Sequence, residues 1–241
     1  MSQRSLLITL FLALYTGTIF ASWPNIDLAV ARFFYDGGFV LGQNSFARMA
    51  RRFFFYLPSF ILAAMALAWM ARRFDLTGRA VIANKAIGWL AKRSPSGRGL
   101  VFAALAIALG PGLLVNIGLK DHWSRPRPVH VQEFGGKQTF RPWWKTDGGC
   151  QKNCSFVSGE VAGAFWLVAP ASLAPPPART PLIAAALSVG LVTALGGVAF
   201  GGHFLSDAIF AALFTLLICQ MLYLLIMGRS WGRVAGRWLR L

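Results

Sequence analysis

The sequence predicts an all-α fold: a six-transmembrane-helix bundle with an extramembrane loop and short interfacial helices. Three observations predict it. Apolar residues make up 56% of the 241 positions and charged residues only 13%, a balance that excludes an ordinary soluble domain. The apolar residues gather into six stretches, each near the roughly 20 residues that a bilayer requires. The polar clusters fall at the ends of those stretches, where charge costs less than it does near hydrocarbon.

The stretches lie at about 5–23, 53–71, 100–119, 156–173, 181–200 and 207–227. The first reads as an uncleaved span rather than a signal peptide, because no A-x-A-like cleavage site follows it. Residues 24–52 are mixed, and Ile26, Leu28, Ala29, Ala31, Phe33 and Phe34 could form one face of a short interfacial helix. Gly110-Pro111-Gly112 is expected to kink the third span. Segment 72–99 is rich in Arg and Lys and reads as a cytoplasmic loop with an amphipathic helix around 81–90. The prolines of Ala174–Arg179 make a tight connector. The tail carries Arg229, Arg233, Arg237 and Arg240, with Trp231 and Trp238 as interface anchors. The length suits one helical membrane domain, so residues 1–241 are expected to form a single integral-membrane unit.

The net charge is +16, from 24 Lys+Arg against 8 Asp+Glu. Positive bias of cytoplasmic loops and attraction to anionic lipid account for it. The basic residues are dispersed and match no recognition motif, so no nucleic-acid partner is expected. Cys150 and Cys154 share a polar loop. Their C-x3-C spacing is a poor zinc signature without further ligands nearby, and a small-loop disulfide in an oxidising compartment is the favoured reading. Cys219 lies in an apolar run and reads as a small core residue. No metal-ligand cluster is evident, and neither metal nor cofactor is expected. With the basic residues of 120–155 that look functional set aside, the loop charges favour an inside N-terminus. The cysteine pair then falls outside.

Three polar clusters carry the chemistry. Lys120 to Arg127-Pro128 follow the third span, Ser158-Gly159-Glu160 begin the fourth, and His203 and Asp207 stand between the fifth and sixth. Ends of odd spans and starts of even spans share one face of a membrane, so all three clusters are expected on the outer face. Their residue types suit phosphate. Arg127 offers a planar fork, Lys120 a point charge, and Ser158-Gly159 a helix N-terminus whose N–H groups can point at an anion. His203 and Asp207 are four residues apart, so one helical turn could let Asp207 hold one imidazole nitrogen and leave the other free to attack phosphorus. Each piece also has a plainer reading taken alone: interface anchors, a helix N-terminus with a favourable acidic residue, a structural histidine. His122 and His130 stay in that plainer class, and Arg141 and Lys145, beside Trp143 and Trp144, read as headgroup contacts, with substrate contact as the alternative.

These residues resemble the type 2 phosphatidic acid phosphatase superfamily, whose signature is K-x6-R-P, then P-S-G-H, then S-R-x5-H-x3-D. Lys120 to Arg127-Pro128 matches the first part fully, Ser158-Gly159 matches part of the second, and His203 with Asp207 matches part of the third. The spacing within each is kept. The resemblance implies that His203 attacks phosphorus and forms a phosphohistidine, that Asp207 orients it, and that Lys120, Arg127, Ser158 and Gly159 bind phosphoryl oxygens.

There are two departures. Glu160 stands where the family has the histidine that protonates the leaving oxygen, and Gly197 stands where it has a phosphate-binding arginine. The expectations that follow are that Glu160 acts as the acid, with His122 or His130 as alternatives, and that Arg125 partly replaces the lost arginine. Restoring an arginine at Gly197 is expected to raise activity. The implied protein is a metal-independent lipid phosphate phosphatase in a bacterial inner membrane with its site facing the periplasm. Lipid A, polyprenyl diphosphate and phosphatidylglycerol phosphate are the candidate substrates. A lipid phosphotransferase of the same fold and a catalytically impaired lipid-binding or transport protein remain the alternatives. The sequence carries no indication of oligomeric state.

Overall fold

The computed structural model describes residues 1–74 and 95–228, and these fold entirely around helices. The amphipathic helix expected around 81–90 and the basic tail lie outside the described residues. Helix α1 spans Gln3–Ser22, α2 Asn25–Phe33 and α3 Ser45–Arg73. Helix α4 spans Gly97–Ile107 and continues as a π-helix over Ala108–Leu119. Two short helices follow, α5 (Gly159–Trp166) and α6 (Val168–Ser172). Helix α7 spans Pro176–Ala199, and α8 spans Leu205–Leu222 with a π-helical extension over Tyr223–Met227.

Five of these are long and apolar enough to cross a membrane: Gln3–Ser22, Ser45–Arg73, Gly97–Leu119, Pro176–Ala199 and Leu205–Met227. The expected fourth span differs. Its apolar run is divided at Leu167 into α5 and α6, neither of which is long enough to cross alone. Pro170, which has no N–H to give, lies just past the break. The run is almost wholly enclosed by protein: Val161, Ala162, Ala164, Phe165, Trp166, Val168 and Ala169 are all buried. An interrupted backbone is tolerated at membrane depth when protein rather than lipid surrounds it. It passes from one end of the bundle towards the other, since Leu173, just beyond α6, lies 3.2 Å from a Cβ built on Gly99 at the start of α4.

Local chemistry explains most helix starts. Ser2, Asn44, Ser96 and Ser158 each accept a hydrogen bond from a backbone N–H in the first turn of the helix that follows. Pro176 opens α7, where its fixed φ fits and its missing N–H costs nothing. Gly110-Pro111-Gly112 lies inside the π-helical part of the third span. The missing proline N–H disrupts the α-helical ladder there, and the side chain of Asn116 donates to the Pro111 carbonyl at 2.7 Å.

Helix α3 is longer than the bilayer needs. Its uncharged stretch runs from Phe53 to Ala71 between Arg52 and Arg72, about the length that spans the hydrocarbon. The turns before it, which carry Arg48, Arg51 and Arg52, therefore project past the apolar layer at one end. Helix α8 is central, packed against α1, α4, α5 and α7. Gln220 on α8 donates to Thr9 of α1 at 3.0 Å, a polar tie of the kind that associates helices in lipid. Trp143 packs inward on Phe156 and Phe210, with ring centroids 6.0 and 4.7 Å away.

Candidate active site

The site is built where four helix ends meet: the C-terminus of α4 with Lys120, the N-terminus of α5 with Gly159, the α7–α8 turn with His203, and the first turns of α3. Lys120 caps the π-helix. A Cβ on Gly159 would lie 2.5 Å from Asn116 Oδ1 and 3.5 Å from Lys120 Nζ. A larger residue would fit only if the Asn116 side chain moved, and the lysine ammonium sits directly against the start of α5. Burial, then neighbouring Arg127, holds Lys120 below its ordinary value.

Ser158 is partly engaged in structure. Its hydroxyl accepts from Val161 N at 3.4 Å and its own N–H donates to the Asp207 carbonyl at 3.4 Å. The N–H groups left to open the helix are those of Gly159 and Glu160. The free N–H groups at this helix start are thus shifted one residue from the Ser158-Gly159 pair expected, because the Ser158 N–H is bonded to Asp207.

Arg127 donates through Nε and Nη2 to one acceptor, the Asn153 carbonyl, at 3.1 and 2.9 Å. Asn153 is fixed in turn by Asp121, which accepts its N–H at 3.0 Å, and by the disulfide between Cys150 and Cys154, whose Cα atoms are 5.7 Å apart.

His203 is 1% exposed. Its Nδ1 lies 2.7 Å from the Ser155 carbonyl. A carbonyl only accepts, so Nδ1 carries the proton and Nε2 keeps its lone pair. Burial holds the imidazole well below its ordinary pKa, and Arg127 and Lys120 push it further down. The ring is therefore neutral, as a nucleophile must be.

Three expectations are corrected by this geometry. Asp207 does not hold His203. Its carboxylate accepts from Ser155 Oγ, Phe204 N and Arg125, so it steadies the histidine only through Ser155, whose carbonyl is the ring's partner. Arg125 is no phosphate ligand. It is completely buried and donates to Asp207, Asp27 Oδ2, Ser206 Oγ and the Arg141 carbonyl, lying 4.6 Å from the Phe204 ring centroid. A buried guanidinium so enclosed has no face left for a substrate. Glu160, the expected acid, accepts at both oxygens from Arg51: Nε to Oε2 at 2.7 Å and Nη2 to Oε1 at 2.6 Å. Giving a proton to a leaving group would require it to surrender that fork. His122 and His130 are both exposed.

Sequence reasoning missed Arg51, Asp27, Asn116 and Ser155. Asp27, on the supposed interfacial helix α2, is 1% exposed and accepts from Arg125, Ser206 N and Ser206 Oγ. It ties α2 to the start of α8. One signal was available: an acidic residue among only 8 in the chain, set in an apolar helical face.

The PAP2 superfamily model matches residues 99–231, more than half of the chain. The chain belongs to the PAP2 superfamily. The residues that match the three signature motifs, the first fully and the other two in part, lie within that segment, whereas Asp27 and Arg51 lie before it. Among curated proteins, the chain is 38% identical over 130 residues to a lipid A 4'-phosphatase of Francisella tularensis subsp. novicida, covering 54% of this chain and 59% of that one. It is 41% identical over 113 residues to a lipid A 4'-phosphatase of Rhizobium etli, covering 47% and 44%. A Rhizobium leguminosarum protein of the same name is 39% identical over 112 residues, covering 46% and 48%. The chain thus spans about half the length of the curated relatives it matches. No solved structure matches it.

Proposed function

We propose that this PAP2 protein is a membrane lipid phosphatase that removes a phosphomonoester from a lipid through a phosphohistidine at His203. The observation that carries the reading is the state of that ring. It is buried and neutral, its Nδ1 is committed to the Ser155 carbonyl, and the charges of Arg127 and Lys120 reach it. Lys120, Arg127 and the N–H groups of Gly159 and Glu160 bind the phosphoryl oxygens. Nε2 forms a bond to phosphorus as the P–O bond to the lipid breaks, and the lipid leaves as its alcohol after taking up a proton from water. Water then cleaves the N–P bond, releasing inorganic phosphate and restoring the imidazole. Asp207 and Arg125 are positioning groups beneath the site.

The substrate proposed is the 4'-phosphate of lipid A or a closely similar glycolipid phosphate, on the names of the relatives. Residues 1–241 act as one membrane unit, and α5–α6 serves as a sixth, broken crossing between α4 and α7. Parity then places every site residue on one face. The Cys150–Cys154 disulfide on that face supports the periplasmic side of a bacterial inner membrane, where such bonds persist.

The test is phosphate release by the purified full-length protein from lipid A and from other lipid phosphates, beside a His203→Ala variant. Release that depends on His203 is expected. A wild type no faster than His203→Ala overturns the reading.

A further inference from the structure

We propose that Arg51, on α3 and outside the family-matched segment, is a phosphate-binding residue of this site, taking the role for which Gly197 offers no side chain. The inference deepens the phosphatase reading and rests on it for the identity of the ligand.

Glu160 holds the Arg51 guanidinium in a two-point fork through Nε and Nη2, which fixes its plane. A guanidinium has five N–H groups. The fork uses two, and the other three have no partner among the described residues. The side chain is 29% exposed, so those donors are not sealed away.

The guanidinium lies over the turn that carries the nucleophile. Its Cζ stands 4.8 Å from the Phe200 ring centroid, and its Nη2 lies 3.5 Å from a Cβ built on Gly202, the residue before His203. Arg51, Glu160 and Gly197 line one cavity of about 360 Å³. A Cβ on Gly197 would point at the ring of His203, 3.8 Å from Cδ2. Gly197 thus stands between the ring of His203 and the mainly apolar cavity on which Arg51 and Glu160 border, a cavity whose lining does not itself include Lys120, Arg127 or His203. A larger cavity of about 840 Å³, lined by Ile61, Met65, Gly99 and Leu173, lies at the opposite end of the bundle and holds none of these groups.

The electrostatics agree. After burial, Arg51 is the foremost influence holding Arg127 below its ordinary value, and it also contributes to the lowering of His203. Lys120, Arg127 and Arg51 lie close enough to act on one another, with Glu160 and Asp121 as the opposing charges at Lys120, while Asp207 is taken up by Arg125. Such an excess of positive charge on neutral His203 is unfavourable unless an anion completes it, and a phosphomonoester is close to a dianion near pH 7. The two departures from the family signature then have one explanation. Glu160 replaces the motif histidine because its task is to aim Arg51, and Gly197 is tolerated because Arg51 arrives from another helix.

The test is calorimetric titration of inorganic phosphate into the full-length protein in detergent, run beside phosphate release. Arg51→Ala is expected to weaken phosphate binding at least about tenfold and to lower kcat/KM by on the order of 10²–10³. Arg51→Lys should recover only part, since a point charge cannot be held by the same fork. Glu160→Gln should shift phosphate affinity in the same direction by less. Phosphate affinity unchanged in Arg51→Ala, with only the melting temperature lowered, would make the pair a mere tie between α3 and α5 and would overturn the proposal. A wild type that binds phosphate through Arg51 but turns over no faster than His203→Ala would support Arg51 and remove the phosphatase reading. A wild type that binds no phosphate would remove both.

Discussion

The Nδ1 of His203 lies 2.7 Å from the carbonyl oxygen of Ser155, and among the described residues no carboxylate is hydrogen-bonded to the ring. A carbonyl fixes the tautomer without offering a charge to stabilise an imidazolium, and burial opposes the charged form further. The folded-state pKa is therefore depressed, so the neutral ring persists as the pH falls through the ordinary histidine value near 6.5 and is lost only well below it. Isotope-edited NMR of the histidines should find His203 unprotonated throughout the range from pH 7 down to pH 6. A ring half-protonated at pH 6.5 would contradict this account.

Asp27 and Asp207 clamp one guanidinium, Arg125, with every member of the trio essentially sealed from solvent. Removing one partner of a buried ion pair leaves an uncompensated charge, at a cost of about 3–5 kcal/mol. Asp27→Ala should therefore lower thermal stability strongly even though Asp27 lies far along the chain from every motif. If Asp27→Ala melts within a degree or two of wild type, the network does not hold α2 against α8.

The sequence made the helices legible because apolar length alone specifies a span, and Phe53–Ala71 between two arginines is unmistakable. It made Lys120, Gly159 and His203 legible because helix ends alternate sides. The same alternation reaches the start of the second span, which is where Arg51 lies. That residue was passed over because its helix begins at Ser45 rather than near Phe53, and hydropathy marks where lipid ends, not where a helix does. The partners of Arg125 were illegible for a different reason. Arg125 and Asp27 are 98 residues apart, and nothing local distinguishes an arginine that binds substrate from one that binds two aspartates. Similarly, a spacing of four suggested His203–Asp207 contact, but α8 begins only at Leu205. The two are therefore not one turn apart on a shared helix.

Glu160 offers a direct comparison of roles. As an acid it would matter most for poor leaving groups; as the support of Arg51 it acts on the phosphoryl group common to all substrates. Glu160→Gln should therefore lower kcat/KM by similar factors on a sugar 1-phosphate and on an alkyl phosphate. A loss at least ten times greater on the alkyl phosphate would return Glu160 to the acid role.

The Cys150–Cys154 loop encloses Asn153, whose carbonyl takes two hydrogen bonds from Arg127. Opening that loop frees the acceptor that sets the direction of the guanidinium. Cys154→Ser, or reduction of the wild type, should raise the KM for a lipid phosphate several-fold with a smaller change in kcat, since His203 is held by a different residue. An unchanged KM in a variant confirmed to lack the bond would show that Asp121 alone fixes Asn153.

Gly197→Arg separates the present account from the signature-based expectation that the substitution simply restores a missing contact. The Cβ itself meets nothing closer than 3.8 Å, so the first atom of a side chain fits. Beyond it, the cavity is shared with Arg51, and a second guanidinium would meet like charge at close range. In the wild-type background, Gly197→Arg should therefore give no gain in phosphate release. In an Arg51→Ala background the same substitution should recover at least about tenfold of the on-the-order-of 10²–10³ loss expected for a missing charge-assisted contact. The two effects are non-additive because both side chains compete for one place. A clear gain from Gly197→Arg on the wild type would mean that the site lacks a cation and that Arg51 does not fill its place.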